Sequence, residues 1–276
     1  MITSIAELIT DRMDAMPAGE RRAAQTLIAN YPLAGLKTVA DFSQLAGVSS
    51  PTILRFVARL GFHNYSEFQA ALQHELAAQL QSPLSRTERQ PGRRGEEPAT
   101  LAATLDNIRE TFGHVSQRQI DEIVALLAHP RASIHLVGGR FTDPIARYMA
   151  AHMTIIRPAV FHLSGQESNW RDRLIDMGRR DVLFVFDIRR YQDSLLRLAE
   201  TAHRRGIRIV LVTDQWLSPI ARFARHVVAG RTAVPSAWDS SAALFVFAEV
   251  LIGELTRRLE HESAERIGQL ETLRKG

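Results

Sequence analysis

Through the first eighty positions apolar residues return at helical spacing, at Ile5, Leu8, Ile9 and Met13 and again at Ala24, Leu27 and Ile28. The pattern predicts short amphipathic helices. It stops at residues 81–99, QSPLSRTERQPGRRGEEPA, where three prolines, two glycines and almost nothing apolar give the composition of a linker. From 100 to 276 the rhythm changes. Continuous apolar runs near 133–138, 159–163, 182–188, 207–213 and 226–229 predict five strands buried on both faces. Helical stretches near 144–155, 170–177, 194–204 and 219–223 separate them, and a last helix near 242–259 follows. Strand–helix alternation predicts a doubly wound α/β domain with a five-stranded parallel sheet and right-handed crossovers. The expected organisation is an all-α domain at 1–80, a linker at 81–99 and an α/β domain at 100–276.

Within the first domain, the segment from Thr38 to Phe62 has its own punctuation. A helix is predicted over Val39–Ala46. Gly47 permits a sharp turn through positive φ, Val48 is the buried hinge, and Ser49 or Ser50 caps a second helix with Pro51 in its first turn. Gly61 ends that helix. Ile53, Phe56, Val57 and Leu60 form its apolar stripe, which leaves Thr52, Arg55 and Arg59 to face outward. Helix, short turn and helix is the geometry that delivers a recognition helix to the major groove. Arginine suits guanine edges or phosphate, and short hydroxyls reach phosphates and base edges. No acidic residue occurs from Phe42 to Ser66, although residues 1–80 as a whole carry six Lys/Arg against seven Asp/Glu. Ser49, Ser50, Thr52, Arg55 and Arg59 are therefore the candidate DNA-binding residues. The alternative is an ordinary helical hairpin with solvated arginines.

Leu45, Ala46, Gly47, Val48 and Ser49, then Thr52, Arg55 and Phe56, then Leu60, Gly61 and Phe62, then Glu67 and Phe68, resemble the N-terminal module of RpiR-type regulators. The later part is similar to the sugar isomerase (SIS) domain that follows it in that family. The resemblance implies strand order 2-1-3-4-5 and self-association as a homodimer or homotetramer. The helices at 145–156 and 242–255 are the candidate surfaces for that association.

In such a sheet a ligand sits beyond the carboxyl ends of the strands at the switch point. The flanking loops read Gly138-Gly139-Arg140-Phe141-Thr142 and Asp187-Ile188-Arg189-Arg190-Tyr191-Gln192. The resemblance implies a G-x-G-x-S first loop, in which Arg140 stands for the second glycine and Thr142 for the serine. It implies an S-x-S-G-x-T second loop, in which Asp187, Arg189, Arg190 and Gln192 replace the two serines, the glycine and the threonine. The hydroxyl cradle for a sugar phosphate is thus altered, and two arginines are gained that suit an anion. Gly138, Gly139, Arg140, Thr142, Asp187, Arg189, Arg190, Gln192 and Ser218 are the candidate ligand-binding residues. Ser218, before Pro219, also reads as a helix cap. A vestigial site with Arg189 paired to Asp187 or Asp193 is the alternative. Asp239-Ser240-Ser241 reads as a cap bordering the pocket, Trp170 and Trp238 as packing anchors, and Glu249 as lying on the less buried face of the last helix.

Composition narrows the function. At 45% hydrophobic and 23% charged there is material for a core, and with no cysteine there is no disulfide, thiol nucleophile or thiolate metal site. The ten histidines lack metal-ligand spacing, so neither metal nor cofactor is expected. The N-terminus lacks the basic and apolar regions of a signal peptide, and the longest apolar run, at 242–252, is too short for a membrane span. The expectation is a cytoplasmic transcription regulator, not an enzyme, with double-stranded DNA and a small-molecule effector as partners. The rivals are an SIS-type sugar-phosphate isomerase, for which no base can be nominated, and a sugar-phosphate-binding protein.

Overall fold

The computed structural model describes residues 4–80 and 99–275. All but the last residue of the expected linker lies outside them. Among the described residues the N-terminal part is a bundle of five α-helices, α1 (Ile5–Arg12), α2 (Ala18–Ala29), α3 (Val39–Ala46), α4 (Ser50–Arg59) and α5 (Tyr65–Leu80), with a 3-10 turn at Met13–Ala15. Its core gathers Ile9, Leu27, Phe42, Ile53, Phe56, Phe68 and Leu72, all fully buried. Phe42 meets Phe56 edge-on, with ring centroids 6.4 Å apart. Truncating an aromatic residue in such a core costs about 3–5 kcal/mol.

Local chemistry explains the boundaries of α3. Thr38 Oγ1 accepts from Asp41 N at 3.1 Å at its start, and Gly47 ends it at φ 61° with open space around the α-carbon. Ser49 occupies the N-cap position of α4, yet its hydroxyl bonds Thr52 Oγ1 at 2.9 Å and no backbone N–H. Pro51 has removed one of the donors a capping hydroxyl accepts from, and Thr52 N already bonds Ser49 O. The expected side-chain cap is therefore absent. α5 does carry a reciprocal cap: Glu67 N donates to Asn64 Oδ1 and Glu67 Oε2 accepts from His63 N.

The C-terminal part opens with α6 (Ala99–His114) and α7 (Gln117–Leu127). A five-stranded parallel sheet follows in the order β2-β1-β3-β4-β5. The strands are β1 (Ile134–Gly138), β2 (Val160–His162), β3 (Val182–Asp187), β4 (Arg208–Asp214) and β5 (His226–Gly230). The helices between and after them are α8 (Asp143–Ile156), α9 (Glu167–Arg173), α10 (Asp193–Arg204), α11 (Ala242–Arg258) and α12 (Glu260–Lys275). Alternate strand residues divide between two cores. Ile134, Leu136, Phe184, Phe186, Val210 and Val212 pack with α7, α8 and α11, whereas Val137, Leu183, Val185, Ile209 and Leu211 pack with α10 and its neighbours. Both faces are covered, which is why the strands read as unbroken apolar runs.

The strands lie within one residue of expectation. The helix expected at 170–177 is instead α9 followed by a 3-10 turn, Leu174–Asp176, and Pro219–Phe223 is a 3-10 turn as well. The helices expected to offer apolar faces for self-association spend most of them inside the chain: Ile145, Met149 and Met153 of α8 and Leu244, Phe247 and Leu251 of α11 are buried. Trp170 is a buried packing anchor as expected, and Glu249 lies on the exposed side of α11. The two parts touch. Ala6 is buried in the α10-side core, Ile28 and Tyr31 pack against it, and α2 lies on the Pro219–Phe223 turn. Among the described residues no helix is long and apolar enough to cross a membrane.

Candidate functional site: the switch-point crevice and the open face of α4

β1 and β3 are hydrogen-bonded neighbours, and the chain leaves their carboxyl ends toward opposite faces, into α8 and α10. A crevice opens between the two loops. In the first loop the chain folds back so tightly that a Cβ on Gly138 would sit 2.5 Å from Asp143 N and Thr142 C. Gly138 is thus needed for the turn itself. Thr142 is fully committed to the same turn: its Oγ1 donates to Phe186 O at 2.6 Å and accepts from Gly139 N at 2.9 Å. Arg140 N donates to Gln192 Oε1 at 2.7 Å, so Gln192 ties the two loops together. In the second loop Arg190 takes φ 32°, a left-handed backbone at the position where the resemblance places a glycine.

The crevice encloses about 680 Å³, a volume suited to a metabolite. Gly139, Arg140, Thr142, Asp187, Arg189, Arg190 and Gln192 all border it, together with Phe141, Trp238 and Asp239. Gly138 and Ser218 lie behind that lining. Ser218 Oγ donates to Asp187 Oδ2 at 2.6 Å and accepts from Ile220 N at 3.2 Å, so it caps the 3-10 turn and props the carboxylate. Burial pushes Asp187 up to about 7, against the pull of the Ser218 hydroxyl and the Gln192 N–H, with nearby Asp214 adding a smaller push upward. Burial likewise pushes Asp214 up to about 6, although it accepts from Tyr191 OH at 2.7 Å, Arg189 N at 2.6 Å and Trp216 N at 3.1 Å.

The side chain of Arg189 is largely covered, and its partner is neither Asp187 nor Asp193. Its Nε and Nη2 form a fork on the two carboxylate oxygens of Asp239, each at 2.5 Å, and its guanidinium stacks over Trp216 at 4.7 Å. Sequence reasoning missed this partner because Asp239 reads locally as a helix cap. Trp238, expected to be a packing anchor, is instead 59% exposed at the crevice and meets Phe141 edge-on at 5.8 Å. Arg140 and Arg190 are exposed. Among the described residues no cluster of ligating side chains is arranged to hold a metal ion.

On α4 the expected apolar stripe is buried and the opposite face is open. Arg55 is exposed, and its Nη2 donates to Thr52 Oγ1 at 3.1 Å. Ser50 shares a 3.3 Å hydrogen bond with Ser43 on α3. Arg59 is exposed as expected, but it is also ion-paired with the buried Glu20 of α2, and Arg12 donates to its carbonyl. That contact ties α4 to the bundle. Leu54 is half exposed one helical turn from Ser50 and was not anticipated.

The helix-turn-helix domain of the rpiR family matches residues 3–79, and the SIS domain matches residues 126–252. The HTH-type transcriptional regulator HexR of Pseudomonas aeruginosa is 27% identical over 135 residues, 49% of this chain and 47% of HexR. The bifunctional protein glk of Burkholderia thailandensis is 24% identical over 226 residues, 80% of this chain and 34% of that protein. The chain thus aligns with about half the length of the first relative and a third of the second. In fold it is similar to the sugar isomerase domain of an RpiR transcription factor from Sphaerobacter thermophilus, with TM-score 0.59, 18% identity, and 63% of this chain and 96% of that one covered. It is also similar to the Vibrio vulnificus NanR protein complexed with ManNAc-6P, with TM-score 0.55, 16% identity and 98% of both chains covered. The chain thus carries a helix-turn-helix domain of the rpiR family followed by a SIS domain, the domain pair of the RpiR-type regulators that the sequence resembles.

Proposed function

We propose that this protein binds double-stranded DNA through the open face of α4, and that a small polar or anionic metabolite in the switch-point crevice changes that affinity. Residues 1–80 form the DNA-binding unit, 100–276 the effector-binding and self-association unit, and the working form is a homodimer or homotetramer. Thr52, Arg55 and the serines at 49 and 50 meet the DNA, while Arg59 chiefly braces α4 against α2. The reading matches the domain pair. The fold neighbour complexed with ManNAc-6P supports a sugar-derived anion, and here three arginines, Arg140, Arg189 and Arg190, line the crevice.

The observation that carries the proposal is physical continuity between the two sites. Asp187 borders the crevice and accepts from Ser218, Ser218 caps the Pro219–Phe223 turn, and α2 of the DNA-binding bundle rests on that turn. A ligand that favours one arrangement of this chain of contacts shifts the other end by the same differential free energy. The test is fluorescence anisotropy with DNA from upstream of the protein's own gene, at several salt concentrations, with sugar phosphates and sugar acids titrated in. The expected result is salt-steep binding that one class of ligand strengthens or weakens at least fivefold. Absence of DNA binding at low salt would overturn the DNA assignment, and DNA binding that no ligand alters would overturn the effector assignment.

A further inference from the structure

We propose that Asp239 sits where the anionic group of the effector sits, so that a phosphate or carboxylate displaces it from the Arg189 fork and thereby unlatches the loop 231–241. The inference rests on the effector reading above and deepens it by naming the ligand's anchoring group and the contact it breaks.

Arg189 presents both fork nitrogens to a carboxylate oxygen, the planar geometry by which arginine takes phosphate or carboxylate from a ligand. Both partners border the cavity, so the fork is occupied from within the site by a residue of the covering loop. The crevice carries three arginines and two aspartates in its lining, and Arg140 and Arg190 are exposed at its edge. Displacement of Asp239 leaves an anion facing all three.

The loop that Asp239 holds is gripped at its other end by α6. Asn107 Nδ2 donates to Ala233 O at 2.9 Å, Thr111 Oγ1 accepts from Arg231 N at 2.9 Å, and Glu110 pairs with Arg231 at 3.2 Å. Between the two grips lies Trp238. A free carboxylate at 239 therefore loosens the cavity end of a strap whose other end stays on α6 and whose remaining tie beside Asp239 is Ser240 N on Thr232 O at 2.9 Å. The ligand binds only the unlatched form, which is the differential affinity that a switch requires.

The experiment uses the full-length protein and three probes: inorganic phosphate, glucose 6-phosphate and gluconate. Calorimetry is run on wild type, Asp239→Asn, Arg189→Met and Glu167→Gln, the last removing a carboxylate that touches Gln192 at the other side of the crevice. Hydrogen exchange of residues 231–241 is followed in the wild type with and without the probe that binds best. The expected result is about tenfold tighter binding in Asp239→Asn, at most a twofold change in Glu167→Gln, loss of binding in Arg189→Met, and faster exchange of the loop when ligand is bound. Preference for glucose 6-phosphate over gluconate assigns the anchor to a phosphate, and the reverse to a carboxylate. Equal gains in Asp239→Asn and Glu167→Gln reduce the effect to bulk charge and overturn the latch. Slower loop exchange with ligand overturns it even where Asp239→Asn does not fold. A probe that binds wild type and shifts DNA affinity without either signature leaves the regulator reading standing and removes the latch. No binding of any probe to wild type or Asp239→Asn removes both the latch and the anionic effector.

Discussion

Ser218 Oγ donates to Asp187 Oδ2 at 2.6 Å, and this one bond links the floor of the crevice to the turn on which the DNA-binding bundle rests. Both residues are almost fully buried. The carboxyl is therefore expected to report on the whole junction.

Burial holds Asp187 up at about 7, well above the ordinary carboxylate range. The folded form then keeps a proton that the unfolded form has lost between about pH 4 and 7. Stability at this position is accordingly full below the unfolded value and falls as pH rises through the folded value. Asp187→Asn, which keeps an acceptor for Ser218 and cannot ionise, is expected to gain on wild type as pH rises from 5 to 8, by on the order of 3 kcal/mol. Melting temperatures across that range check it. A difference that does not change with pH would remove Asp187 as the responsible group.

Arg55 and Arg59 separate function from stability on one helix. Arg55→Ala is expected to weaken specific DNA binding by about 1–3 kcal/mol with little change in melting temperature. Arg59→Ala strands the carboxylate of Glu20, which is 4% exposed, so it is expected to lower the melting temperature. Adding Glu20→Gln restores part of that loss. If Arg59→Ala leaves stability untouched and abolishes DNA binding, Arg59 belongs to the reading surface after all.

Two glycines are expected to respond differently to the same methyl group. Gly138→Ala drives a Cβ into the backbone of residues 142 and 143, which cannot retreat without moving α8; about 3 kcal/mol is lost. Gly47→Ala meets open space and only the left-handed backbone resists it, at about 1 kcal/mol. Thermal unfolding of the two variants gives the order, and a reversed order would refute this account of the first crevice loop.

Paired helix-turn-helix modules read half-sites about 34–36 Å apart, whereas a single module contacts few bases. Light scattering at micromolar concentration is expected to give the mass of two or four chains. A monomer under those conditions would leave the proposed regulator without a way to span an operator.

The strands, the turn at Gly47 and the buried stripe of α4 were legible in the sequence because each is written in neighbouring residues. A run such as Val182–Asp187 can bury both faces only as an inner strand, and a glycine before a hydroxyl pair marks a turn wherever the rest of the chain goes. The two crevice loops were legible by the same means, since the ends of β1 and β3 are set by the strands themselves. What the side chains do there was not legible. Arg189 finds Asp239 fifty residues away, and Arg59 finds Glu20 thirty-nine residues away. A buried guanidinium takes whichever carboxylate the packing brings within reach, and no local pattern distinguishes Asp239 from Asp187 or Asp193. Trp238 read as a packing anchor because tryptophan usually is one, and only the course of the loop between β5 and α11 left it exposed beside the crevice. Short-range sterics and periodic burial thus determined the elements and their order from sequence alone, while the charge pairing within the crevice was decided by tertiary packing, because electrostatic partners are chosen by distance in space.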